Sequence, residues 1–325
     1  MNKKLFRTGG LVALLLIATF TGGCVQAPQP LQEPLPVYIA EVNMAQGITA
    51  FQYSNYGLAQ QKFLNALAIY RGIDDPDGLV RACINLSETL LSQDRTKEAV
   101  TFLDMARYIT ERENFSQYPA RIDIVASSIA IAENRLQDAL TILNKYLRPV
   151  APEGTENEII AAALQNMVYL AFLSEDIAVE PWIERYARSL KETENVSPSS
   201  LARLYRFQGM LLQSQGSSEK SDGYFADALK IYRETLSRGS IAATHTEWAR
   251  ALIEQNRLQV AEDRLKRALA VRTEMRDRNG CLEVLQLLLE VRIRRGDKAG
   301  EEEVRQWLAE VSNPASISWP GILNF

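Results

Sequence analysis

Ala66-Leu67-Ala68-Ile69-Tyr70-Arg71 recurs as Ala228-Leu229-Lys230-Ile231-Tyr232-Arg233, and more loosely from Ala268 to Arg272. Asn134-Arg135-Leu136-Gln137 likewise recurs unchanged from Asn256 to Gln259. Anchored on these segments, one column reads Ala59, Ala99, Ala139, Val179, Ser221 and Ala261. Four residues on it reads Phe63, Leu103, Leu143, Ile183, Phe225 and Leu265; three more give Ala66, Ala106, Tyr146, Tyr186, Ala228 and Ala268. Twelve residues before the first column stand Gly47, Ser87, Ser127, Met167, Gly209 and Ala249. Every step of the first column is 40 residues except one of 42, so the chain is a repeat array.

Small, then large four later, then small three later is one face of a helix. The small positions admit a second helix, and the large apolar one fills the groove between them. The small residue twelve earlier belongs to the preceding helix, at the crossing point. Each unit is therefore a helix–turn–helix that buries its face only against its neighbours. Turn chemistry falls where this requires it, at Ser92–Arg95, Glu133–Arg135, Ser214–Ser218 and Gln255–Arg257. Asp75-Pro76-Asp77-Gly78, Pro119, Pro152 and Pro198 mark helix starts between units.

These columns resemble the tetratricopeptide repeat, with its Gly-x-x-Tyr and Ala-x-x-x-Phe-x-x-Ala pattern, over roughly Val37 to Val311. The resemblance implies an all-α helical-hairpin solenoid, a right-handed superhelix of about six to seven repeats. The period departs from the usual 34 residues, as in longer-helix variants of the superfamily, and the first-helix aromatic is mostly Leu or Ala. The fourth unit is degenerate. In the last, Glu301 and Arg305 replace small and apolar residues, which suits a terminal repeat facing water.

The N-terminus carries a separate message. Lys3, Lys4 and Arg7 precede an apolar run from Leu11 to Phe20, too short to span a bilayer core of about 30 Å, and so resemble a secretory signal. Thr21-Gly22-Gly23-Cys24 is similar to the lipobox of bacterial lipoproteins, with threonine where leucine is usual. The resemblance implies cleavage before Cys24 and acylation of that residue; the alternative is an ordinary signal with an incidental cysteine. Pro28, Pro30, Pro34 and Pro36 then make a semi-rigid tether of up to roughly 37 Å. The expected organisation is a signal at 1–23, lipidated Cys24 and tether at 24–36, a solenoid at 37–311 and an apolar tail at 312–325. Val25 is not the aspartate that commonly retains lipoproteins in the inner membrane, so the expected location is the outer membrane facing the periplasm. A soluble periplasmic or secreted protein is the alternative.

Composition excludes several functions. With 46% hydrophobic and 23% charged residues the chain is globular rather than disordered. Net charge is −4, and removing the three cations of the signal takes it to −7. That acidity argues against nucleic acid as a partner. The single histidine, His245, removes catalytic arrangements built on two, and the expected reading is a packing residue. No phosphate-cradling loop, serine elbow or zinc-type cysteine spacing is present, so neither an enzyme nor a metal or cofactor site is expected, beyond the lipid on Cys24. Cys83 and Cys281, about five repeats apart, are expected to be buried and unpaired.

In the resembled superfamily, partners lie along the first helix of each unit. The matching positions are Arg81, Ile84 and Glu88; Arg121, Ile124 and Ser128; Leu164 and Val168; Arg203, Arg206 and Met210; and Thr246 and Arg250. Arg81, Arg121 and Arg203 share one column. Such a row either grips carboxylates of an extended partner or pairs with neighbouring acids. The expected function is an envelope scaffold binding a protein or peptide segment during outer-membrane, pilus, secretion or peptidoglycan-synthesis assembly. A receptor holding a small molecule or glycan is the alternative. The tail, with Ile317, Trp319, Ile322, Leu323 and Phe325, either caps the last hairpin or inserts into a partner.

Overall fold

The structure, a computed structural model, describes residues 35–148, 156–193 and 196–313. Cys24, the proline-rich tether, Pro152 and the apolar tail beyond 313 lie outside these. Fourteen helices and no strand occupy the described residues. They form seven consecutive hairpins: α1 (Leu35–Gln52) with α2 (Tyr56–Gly72), α3 (Pro76–Leu91) with α4 (Thr96–Arg112), and α5 (Pro119–Ala132) with α6 (Leu136–Leu147). There follow α7 (Asn157–Leu173) with α8 (Glu180–Lys191), α9 (Pro198–Ser214) with α10 (Ser218–Glu234), α11 (Arg238–Glu254) with α12 (Leu258–Glu274), and α13 (Arg278–Arg295) with α14 (Lys298–Ser312).

The repeated columns are the core. Every residue of the second, third and crossing-point columns is buried, and so is the first column apart from Val179. Val179 is half-buried because α8 begins one residue after it, which explains the degeneracy of the fourth unit. The crossing is close. A Cβ on Gly47 would stand 2.5 Å from the Phe63 ring, and one on Gly209 would stand 3.2 Å from the Phe225 ring. At Ser87 the hydroxyl joins the two helices, Oγ donating to the Ala99 carbonyl at 2.8 Å, whereas Ser127 Oγ donates to Ile124 O of its own helix at 2.7 Å. Ser221 Oγ donates to the Gly209 carbonyl at 2.9 Å from the opposite side of the same kind of crossing.

Turns inside and between most of the described hairpins share one geometry, the α7–α8 turn with its extended Ser174 being an exception. Ser54, Asp94, Asn134, Gly216 and Asn256 inside hairpins, and Asp74, Asn114, Leu236 and Arg276 between them, all have positive φ. The next residue's N–H closes back on the helix, as in Asn55 to Ala50 O at 2.8 Å, Arg95 to Leu90 O at 2.9 Å and Asp277 to Arg272 O at 2.9 Å. That is the Schellman closure of a helix C-terminus, which a left-handed residue permits. Pro76, Pro119 and Pro198 open α3, α5 and α9 in the first turn, where no backbone N–H is needed.

Each second helix packs on the first helix of the next unit, and the first helices also touch one another, as α1 with α3, α3 with α5, α5 with α7, α9 with α11 and α11 with α13. The first helices thus make an inner row. The array also returns upon itself: the Gly239 N–H at the start of α11 donates to Ser54 Oγ at the α1–α2 turn, at 3.0 Å and 185 residues away.

Candidate functional site

The arginines picked out along the first helices make a ladder between units. Arg81 on α3 grips Glu41 of α1 through both terminal nitrogens, at 2.6 and 3.1 Å, and its Nε donates to Asp77 at 3.0 Å. The Tyr70 hydroxyl donates to the same Glu41 carboxylate at 2.7 Å. Arg81 holds the Glu41 carboxyl below the usual carboxylate range, while burial and then Glu41 push the Tyr70 hydroxyl up. One unit on, Arg121 on α5 donates to Asn85 at 2.8 Å and to Glu88 at 3.3 Å, both on α3. Arg203 on α9 donates to Gln165 on α7, and Arg250 on α11 pairs with Glu283 on α13 at 2.9 Å.

Arg206 departs from this pattern. Only 5% exposed, it lies 2.9 Å from Glu247 of α11, and it donates to the Tyr169 hydroxyl of α7. It joins three first helices from inside the packing. Burial raises the Glu247 carboxyl, with the Arg206 charge opposing.

The apolar members of the stripe lie in the core. Ile84, Ile124, Leu164, Val168 and the polar Thr246 are buried, and Met210 is half-buried against the same packing. The reason is the number of neighbours: α3, for instance, is flanked by α1, α2, α4 and α5, so only a narrow strip of it remains open. Arg81, Glu88, Arg121, Ser128 and Arg203 occupy this strip half-buried, and Arg250 is exposed on it. Ser128 is engaged there by Asn166 at 2.8 Å.

One concavity opens on the strip. A cavity of about 330 Å³ is lined by Ile48, Phe51 and Gln52 of α1, Phe63 of α2, Asn85 and Glu88 of α3, and Arg121 of α5. Its floor is aromatic and aliphatic, and its rim carries a guanidinium, a carboxylate and two amides. Ile48 is 43% exposed there. Ile48 and Phe51 were not among the residues singled out from the sequence, where their spacing on α1 is that of core positions; the open flank of α1 exists only in three dimensions.

His245 is 2% exposed, and burial, followed by the nearby Arg264 and Arg233 charges, pushes its imidazole down to about 3. It is a neutral packing residue. Cys83 and Cys281 are buried free thiols, pushed up by burial to about 12 and about 11 respectively. Among the described residues, no cluster of three or more His, Cys, Asp or Glu side chains is placed to hold a metal ion. Among them also, no helix is long and apolar enough to cross a membrane.

Residues 200–298 match the family model of the tetratricopeptide repeat. Together with seven stacked hairpins, this makes the fold a tetratricopeptide-type helical solenoid, the architecture of protein-interaction scaffolds. No curated protein matches the chain. Among solved structures, the chain is similar to the crystal structure of BtubC (BKLC) from P. vanneervenii, at 13% identity over 81% of this chain and 90% of that one. The TM-score is 0.35, too low to bear on the fold or the function.

Proposed function

We propose that this protein is a non-enzymatic scaffold that holds an extended protein segment along the inner row of first helices. The observation that carries this is the cavity of about 330 Å³ walled by Ile48, Phe51 and Phe63 and rimmed by Arg121 and Glu88. An apolar side chain flanked by a carboxylate matches that lining. The ladder does not stand in the way. Its pairs are partly exposed, with Arg250 at 50% and Glu283 at 44%, and such pairs contribute only about 0–1 kcal/mol. A partner's carboxylate can therefore replace an internal one at small cost at Arg121 and Arg250, whose internal ion pairs are single contacts.

The scaffold belongs to the bacterial envelope in this proposal. Acylated Cys24 anchors it to the outer membrane, each buried methylene contributing about 0.8 kcal/mol, and the proline-rich segment holds the solenoid off the surface. Its partner is a component of an outer-membrane, pilus, secretion or peptidoglycan-synthesis assembly. The test is capture from envelope extracts by wild type and by the charge reversal of Arg81, Arg121 and Arg203 together. Loss of a stoichiometric partner in the variant supports the reading; an unchanged set of captured proteins overturns it. Because Arg81 also supports Glu41 and Tyr70, Arg121→Glu alone serves as the milder control. Cys24→Ala should move the protein from the membrane to the soluble fraction.

A further inference from the structure

We infer that the line where the array meets itself holds a second binding site, for a small molecule carrying two or more oxyanion groups. The Gly239–Ser54 contact is one point of that line, and Asp94 of the α3–α4 turn facing Asn279 at the start of α13 is another. Between the two sides lies a cavity of about 660 Å³, within the range of small-molecule sites. It does not share a residue with the inner-row cavity.

The chemistry of the lining is one-sided. Arg238, Arg276 and Arg278 border the cavity, and none has an ion pair or side-chain hydrogen bond among the described residues. Most other arginines among the described residues are paired, as Arg81, Arg135, Arg257 and Arg292 are, so three unpaired ones around a single hollow stand out. Two carboxylates share the lining. Asp277 is already committed to Arg272 and the Gly280 N–H, which leaves Glu274 as the uncommitted carboxylate of the lining, with Asp94 beside the lining on Asn279, against three guanidinium groups. A fourth arginine, Arg95, donates to Glu98 and also to Gln93 Oε1 at 3.1 Å. That bond fixes which end of the Gln93 amide faces Arg95. Gln93 Nε2, on the same cavity wall, is left buried with no acceptor. A buried donor without a partner costs stability until an acceptor arrives. The first turn of α2, at Tyr56 and Gly57, adds backbone N–H groups and the positive end of a helix.

Guanidinium groups, amide donors and a helix start all favour an oxyanion, and three separated arginines favour more than one per ligand. Phosphoryl and carboxyl groups share that chemistry. The occupant touches α2 and the α3–α4 turn on one side and α11 and α13 on the other, so it ties the two sides together.

The experiment uses the purified full-length chain at a fixed ionic strength of about 0.15 M, where general screening is constant. Pyrophosphate and citrate are titrated against sodium chloride, with thermal unfolding and calorimetry as readouts. The expected result is a saturable rise in Tm with at least one of the two probes, absent with chloride. Arg276→Gln with Arg278→Gln should weaken the dissociation constant at least tenfold, and Gln93→Ala should weaken it measurably with circular dichroism unchanged. Response to pyrophosphate alone assigns a phosphoryl ligand, and response to both probes a general oxyanion site. No saturable effect of either probe, or an effect retained in the double arginine variant, overturns the inference. Arg121→Glu should leave this binding intact, which separates the result from that of the inner row.

Discussion

His245 offers an unusually clean probe, because the chain contains only one histidine and so one imidazole resonance set. Burial holds its folded pKa near 3, below the ordinary value of 6.5. The unfolded chain therefore binds the proton that the folded one refuses. The corresponding stability is fully present above about pH 6.5 and is lost as pH falls toward 3. The Hε1 shift of the native protein should stay flat from pH 8 to about pH 5, and a midpoint near 6.5 would show the burial to be wrong. Leu236 marks a second residue-scale conflict. It adopts φ of 51° with its side chain 61% exposed, so it accepts a left-handed backbone without gaining packing. Leu236→Asn should raise stability by about 0.5–1 kcal/mol in urea unfolding, since asparagine tolerates that region better.

At the scale of the helix pair, the crossing residue decides how closely hairpin partners approach. Gly47 and Gly209 occupy equivalent positions, yet the space beside them differs, at 2.5 Å and 3.2 Å from the facing ring. Gly47→Ala should be destabilising, with Gly47→Val costing about 1–3 kcal/mol through displacement of Phe63. Gly209→Ala should be close to neutral, because a gain in helix propensity of about 1 kcal/mol offsets a contact that a small ring shift relieves. Chemical denaturation of the three variants measures both. Helix pairs were the most legible level of this protein in its sequence. The columns at Phe63, Leu103 and Leu265 repeat because each hairpin solves the same packing problem, and the prolines and turn residues recur for the same reason. Helix lengths in the fourth unit were less legible: α8 is only 12 residues and starts after Val179, which the register alone places inside it.

For the whole molecule, the closure between distant units is the new element. A Cβ on Gly239 would stand 2.8 Å from Ser54 Oγ and 3.1 Å from the Tyr56 hydroxyl. Gly239→Leu should therefore wedge the two sides apart, raising the radius of gyration in small-angle X-ray scattering while helical circular dichroism stays unchanged. Asp94 works in the other direction. Desolvation and the facing Asp277 carboxylate raise its pKa, so its ionisation opposes closure as pH rises through that raised value. Asp94→Asn should remove the opposition and raise Tm at pH 7, with little effect at pH values where the native carboxyl is already protonated.

Repetition by itself determined the helical hairpins, their register, the buried columns and the row of arginines, because each depends on residues fewer than about two units apart. Local spacing on a helix carries that information directly. The tertiary structure decided which members of the row remain accessible: Ile84 and Ile124 disappear beneath neighbouring helices, and Ile48 and Phe51 emerge beside Arg121. It also decided that Ser54 meets Gly239 and that three unpaired arginines border one cavity. Those contacts depend on small rotations between successive hairpins, accumulated over five units, and no local pattern records their sum.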